Sequence, residues 1–171
     1  MYEVKIPQAR VACLIGKEGT MKKVIERSTN TRLRVSAEGD VLIEGESYDG
    51  YLCENVVRAI GRGFNPIIAL QLVQENYALE IIEIKEVIGN KPQHLIRIRS
   101  RLIGQRGRAR RVLERLTRCH ICIYGKTVSL IGTYEHVSIA TRGVKKLLHG
   151  SSHGNVYGFL ERGMKKLKPS Y

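Results

Sequence analysis

Leu102-Ile103-Gly104-Gln105-Arg106-Gly107 stands eighty-eight positions after Leu14-Ile15-Gly16-Lys17-Glu18-Gly19, and the match does not stop at the glycines. At the same offset Val24 falls on Val112, Ile25 on Leu113, Glu26 on Glu114, Arg27 on Arg115 and Thr29 on Thr117. Leu33 and Val35 fall on Ile121 and Ile123. After a one-residue shift Gly45 meets Gly132 and Gly63 meets Gly150. One coincidence of glycines carries little information. A register kept through a whole element and beyond, with its apolar positions matching, is a duplicated unit.

Working outward from the first glycine pair, a short strand is predicted around residues 2–6 and a short helix from about residue 8 to Ile15. After the turn a helix runs to about Thr29, with Met21, Val24, Ile25 and Ser28 at the i, i+3, i+4, i+7 spacing expected of a buried stripe. Leu33 and Val35 alternate with arginines in a strand. A turn at Glu38-Gly39-Asp40 reverses the chain into Val41–Glu44, and a helix from Ser47, read as its N-cap, to Gly61 closes the unit. The order is β-α-α-β-β-α. The second copy opens with a strand over Leu79–Val87, then Asn90-Lys91-Pro92, with proline in the first turn of a longer helix ending at Ile103. A helix over 108–118, strands near 120–124 and 127–131, and a helix over 134–148 follow. The expected organisation is residues 1–63 as a first domain, 64–77 as a helical linker, 78–150 as a second domain, and 151–171 as a terminal helix with a basic tail.

A helix that ends in Gly-x-x-Gly with a second helix starting at once has a definite physical use. Glycine leaves no side chain to keep a sugar-phosphate strand away, and the amides at the next helix N-terminus face its charge. The middle residues, Lys17-Glu18 and Gln105-Arg106, supply one cation to each turn. Both copies resemble type I KH domains, so the fold class expected is α+β: two tandem KH domains, each a three-stranded sheet covered by helices. The resemblance implies that Gly104, Gln105, Arg106 and Gly107 clamp the backbone of about four unpaired nucleotides. It also implies a groove for bases that includes Ile103, Val112 and Ile121 or Ile123, and a secondary clamp at Gly16, Lys17, Glu18 and Gly19 with Lys22 and Lys23.

Charge separates the copies. The chain carries 29 Lys and Arg against 16 acids, yet residues 1–85 are close to neutral and nearly all of the excess lies in residues 86–171. Such an excess favours polyanionic partners. Around the second turn stand Arg97, Arg99, Arg101, Arg106, Arg108, Arg110, Arg111, Arg115 and Arg118, with Glu114 as the one nearby acid. Arginine stacks on bases and grips phosphate bidentately, which suits single-stranded RNA. Around the first turn Glu18 and Glu26 dilute the charge. The second copy is therefore expected to supply most RNA affinity.

The segment Gly150-Ser151-Ser152-His153-Gly154-Asn155-Val156-Tyr157-Gly158-Phe159-Leu160-Glu161 resembles the end of the archaeal KH-repeat ribosome-assembly factors, relatives of eukaryotic partner-of-Nob-one. That resemblance implies binding to the 3′ end of small-subunit ribosomal RNA, and partnership with the endonuclease that trims it and with the alpha subunit of initiation factor two. The intact Gly16–Gly19 turn departs from eukaryotic relatives, whose first KH unit is degenerate, and points to an archaeal form.

Other constellations carry less. Cys119 and Cys122 form a Cys-x-x-Cys with no second pair to complete a zinc site, so no metal or cofactor is expected. His149 and His153 are separated by a glycine and serines, and the basic half has no paired carboxylates for a two-metal nuclease, so no enzyme activity is expected. No run of eighteen apolar residues suggests a membrane span, and Met1-Tyr2-Glu3-Val4-Lys5-Ile6 has no leader pattern. A cytoplasmic monomer with reduced cysteines is expected. A protein-interaction scaffold and a general mRNA-binding regulator remain open as other readings of the same residues.

Overall fold

In the first strand, β1 (Tyr2–Lys5), half-buried Tyr2 and Val4 alternate with exposed Glu3 and Lys5, the period of a sheet with one covered face. The computed structural model describes residues 1–89 and 91–167 and divides into two units, Met1–Tyr77 and Ala78–Tyr171. In the first unit β1 is followed by α1 (Val11–Ile15), the glycine turn, α2 (Thr20–Thr29), β2 (Arg32–Val35), β3 (Asp40–Glu44) and α3 (Ser47–Gly61). The sheet order is β1-β3-β2, antiparallel throughout, with Val4 opposite Val41 and Leu33 opposite Ile43. Leu33, Val41 and Ile43 point into a core with Leu14, Ile25, Val56 and Ile60. The hairpin turn needs Gly39: its φ is +103° and a Cβ there would collide with the Ile6 carbonyl, whose amide donates to the Gly39 carbonyl at 2.9 Å.

The segment read as a linker is helical. Here α4 (Pro66–Ala69), capped by Asn65, runs into a 3₁₀ turn at Leu70–Val73, and Ala69 and Leu72 are buried within the first unit.

The second unit repeats the plan with β4 (Tyr77–Glu83), α5 (Ile84–Ile88), α6 (Pro92–Ile103), α7 (Arg108–Thr117), β5 (His120–Tyr124), β6 (Thr127–Thr133) and α8 (Tyr134–Leu148), in sheet order β4-β6-β5. Outside the repeat, α9 (His153–Lys166) starts at Ser152, whose side chain accepts from the Asn155 amide at 3.2 Å. Its Val156 and Leu160 are buried in the core with Leu113, Leu130, Ile139 and Val144. Asn90 and the tail cation Lys168 lie outside the described residues.

Three local expectations are corrected. The strand predicted over Leu79–Val87 ends at Glu83: the Ile84 amide donates to the Lys126 carbonyl, then Ile84, Val87 and Ile88 turn inward at helical spacing. In α2 the buried stripe is Ile25 and Thr29 with half-buried Met21, while Val24 is 38% exposed and Ser28 faces solvent. The matching stripe in α7 is Ala109, Leu113 and Thr117, so the phase is set by the helix's close approach to the preceding turn. Ser47 is the first residue of α3 and not its cap; Glu46 holds the cap position without a side-chain bond.

Two polar devices recur in both units and explain matches that charge counting misreads. Glu26 accepts the Leu33 amide at 2.8 Å, and Glu114 accepts the Ile121 amide at 2.9 Å, each tying a helix to the strand after it. These carboxylates hold the fold as well as subtracting charge. We expect Glu114→Ala to lower stability by about 1–3 kcal/mol, because it strands a part-buried amide and removes the Arg110 ion pair. Urea unfolding would show the loss, with Glu114→Gln recovering part of it. Arg10 donates to the carbonyls of Ile60 and Phe64, both at 2.8 Å, and Arg101 to those of Leu147 and Ser151 at 3.2 and 2.8 Å. The two arginines are not at matching offsets, yet their acceptors are, with the one-residue shift seen in the glycines.

The cysteines at 13, 53, 119 and 122 form no disulfide, and Cys53 and Cys119 are buried. Cys119 Sγ sits where Gly132 leaves no side chain. Burial pushes its thiol up to about 11, opposed by a hydrogen bond to Thr117 and assisted by the Glu114 charge. A thiol raised on folding contributes stability that is present below the ordinary thiol range and lost as pH climbs towards about 11. At pH 8 iodoacetamide is expected to spare Cys119 in the folded chain and label it in urea, as mass spectrometry would read.

Candidate nucleic-acid interface

Both glycine turns have the same backbone. Gly16 and Gly104 have φ of 74° and 75° with ψ near 178° and 175°, a conformation essentially confined to glycine. Glu18 and Arg106 are left-handed at φ 57° and 55°, and Gly19 and Gly107 follow at φ 74° and 75°. Within each pair the glycines do different work. A Cβ on Gly104 would stand 2.6 Å from Cβ and N of Ala109, and one on Gly16 would stand 2.7 Å from Cβ of Met21. The first glycine therefore lets the two helices meet. A Cβ on Gly19 would meet nothing within 4 Å, and one on Gly107 would meet only the flexible end of Arg111 at 3.3 Å. The second glycine keeps the outer face of the turn bare.

Gly107 caps α7 and puts no side chain over the first turn of that ten-residue helix, whose positive dipole end faces an approaching anion, while the Arg108 amide is held by the Gln105 carbonyl. Gln105, Arg106, Arg108 and Arg115 are exposed around this point. Ile103, next to the turn, and Val112, one turn into α7, are half-buried and offer apolar surface to a base.

Other expected residues are placed differently. Ile121 is 3% exposed and belongs to the core, with Ile123 on the same strand face packed partly against it, so Ile103 and Val112 are the expected apolar residues half-exposed beside the turn. The Arg101 guanidinium is committed to the Leu147 and Ser151 carbonyls. Arg110 pairs with Glu114 at 2.7 Å, and Arg111 folds back to donate to the Arg106 carbonyl at 2.7 Å, bracing the turn. Arg99 is half-buried, with its Nε buried and no partner for that atom among the described residues. At the first turn Lys17, Glu18 and Lys23 are exposed and Lys22 half-buried, which puts a carboxylate on the left-handed tip that Arg106 occupies in the second.

One neighbour escaped sequence reasoning. His153 Nε2 lies 3.0 Å from the Arg101 carbonyl, one turn before Gly104, and its ring meets Tyr157 edge-to-face at 5.9 Å. Burial raises the Tyr157 hydroxyl pKa, and the Arg108 charge works against that shift. The helix outside the repeat thus borders the second turn. The His153–Tyr157 spacing was visible in the sequence, but nothing there said which element it would touch. Among the described residues no group of three or more His, Cys, Asp or Glu could hold a metal ion.

A three-stranded β-α-α-β-β-α unit with a helix–Gly-x-x-Gly–helix turn, present twice and extended in the second copy by the short helix α5, defines a tandem type I KH protein. A model of the eukaryotic type KH-domain (KH-domain type I) matches residues 78–165, and a KH domain model matches residues 1–61. The chain belongs to the KH family, as an archaeal member homologous to the PNO1/Dim2 pre-rRNA-processing factors. A KH domain-containing protein of Methanocaldococcus jannaschii is 42% identical over 170 residues, covering 96% of this chain and 74% of that protein. The pre-rRNA-processing protein PNO1 of Saccharomyces cerevisiae is 31% identical over 117 residues, 67% of this chain, and the match spans 42% of that protein's length. Among solved structures, a chain in the a/eIF2alpha-aDim2p-rRNA complex of Pyrococcus horikoshii superposes with a TM-score of 0.90 at 40% identity, covering 97% of this chain and 94% of that one.

Proposed function

We propose that this chain is a non-catalytic single-stranded RNA-binding protein that holds the 3′ end of small-subunit ribosomal RNA during ribosome maturation, with the second KH unit as its main clamp. The observation that carries this reading is the second turn: bare Gly107 at the N-terminus of α7 beside exposed Arg106 and Arg108, where the first turn presents Glu18. A relative named for pre-rRNA processing and a similar chain solved with rRNA support the ribosomal target. The same complex supports the alpha subunit of initiation factor two as a partner, and the family resemblance adds the trimming endonuclease. A cytoplasmic monomer suits this role.

Fluorescence anisotropy with a short strand matching the 3′ end, a scrambled strand and a duplex tests the proposal. Tight binding to the first alone is expected, falling with salt at a log–log slope of about −0.7 per phosphate held. Gly19→Asp should cost less affinity than Gly107→Asp. Equal binding to all three ligands would remove the ribosomal reading, and equal losses in the two variants would remove the ranking of the clamps.

A further inference from the structure

On α8 and α9 a cleft of about 530 Å³ lies away from the residues of the glycine turn. The two helices touch where side chains are absent: a Cβ on Gly143 would strike Leu160, and one on Gly163 would press on Ile139. The floor of the cleft is apolar, made of Ile139, Phe159 and Leu167, and its rim carries Arg142, Arg162 and Lys166 against Glu135. Tyr134, at the start of α8, is 59% exposed on the same border.

We infer that this cleft is a docking site for an acidic, leucine-bearing segment of a partner protein. Charge complementarity selects the occupant. Three exposed cations around an apolar floor match aliphatic side chains flanked by carboxylates, the pattern an amphipathic segment presents to a groove. RNA fits less well, because strand binding uses open aromatic faces as stacking platforms. The Phe159 ring is already engaged, with Lys146 Nζ 4.8 Å and the Arg142 guanidinium carbon 5.7 Å from its centroid. A basic segment is excluded by the rim.

The test is an amide NMR titration of the full chain with an amphipathic peptide of leucine and glutamate, its leucine and lysine counterpart, and oligouridylate. The glutamate peptide should shift the amides of Ser138, Ile139 and Gly163. Arg142→Glu/Arg162→Glu should weaken it by roughly tenfold or more, with a smaller loss of RNA affinity from the lowered net charge. Arg142→Gln/Arg162→Gln removes the positive charges without adding negative ones and should give an intermediate loss. Shifts that are absent or lie elsewhere, equal binding of the lysine peptide, or oligouridylate shifting the same amides would each overturn the inference. None of these outcomes depends on the glycine turn being the RNA clamp.

Discussion

Gly107→Asp is expected to abolish most RNA binding while leaving the second unit folded. An added Cβ there meets only the Arg111 guanidinium, at 3.3 Å, and aspartate tolerates the left-handed conformation at φ 75°, so the stability cost should stay near 1 kcal/mol. The effect on a phosphate strand is much larger. The new carboxylate would sit on the face a sugar-phosphate backbone must approach, and two like charges about 4 Å apart repel by about 4 kcal/mol at an effective dielectric of 20. Relaxation and salt reduce that, and a loss of at least about thirtyfold, or 2 kcal/mol, should remain. Gly107→Asn adds nearly the same volume without the charge, and separates steric blocking from repulsion. Anisotropy titrations of the three proteins, with circular dichroism to confirm folding, would decide. Unchanged affinity in the folded aspartate variant would show that RNA does not use this turn.

The second large effect falls three residues earlier and on a different property. Gly104→Ala should destabilise the second unit by about 3–5 kcal/mol. Alanine at φ 75° and ψ 175° costs about 1–3 kcal/mol in backbone strain, and its Cβ would stand 2.6 Å from Ala109, adding an overpacking cost of similar size. Against a typical domain stability of about 5–15 kcal/mol, that shift takes much of the reserve. Denaturant unfolding would measure it. The double change Gly104→Ala/Ala109→Gly should recover only the share of the steric cost that comes from the Ala109 Cβ, because the Ala109 amide nitrogen stays 2.6 Å from the new Cβ, a partial coupling visible in a double-mutant cycle. A loss below about 1 kcal/mol would mean that α6 and α7 do not need this approach. The two glycines look alike in the sequence, yet one variant should fail in folding and the other in binding.

Much of the architecture was legible in the residues because it rests on local chemistry. Apolar period separates strand from helix, glycine permits positive φ, and proline and serine mark helix starts. Those rules act over a few neighbours, so one repeat read carefully yields both units. They failed where local patterns are ambiguous. Ile84, Val87 and Ile88 suit a strand run or a helix face, and Val24 suits a buried stripe until the turn sets the phase of α2.

The electrostatics of the interface were legible only in total. Counting arginines showed that the second half is basic, but not which guanidinia a ligand can reach. Arg101 is taken by carbonyls of Leu147 and Ser151, 46 and 50 residues away in sequence. Arg110 is neutralised by Glu114, and Arg111 braces the Arg106 carbonyl. The duplicated unit, its glycine turns and the placement of charge in its second copy are written in the chain, because each depends on adjacent residues. The division of cations between fold and ligand, the burial of Ile121 and the seat of α9 beside the turn arise only on folding, because a charge or an apolar face finds its partner across distances that local sequence does not encode.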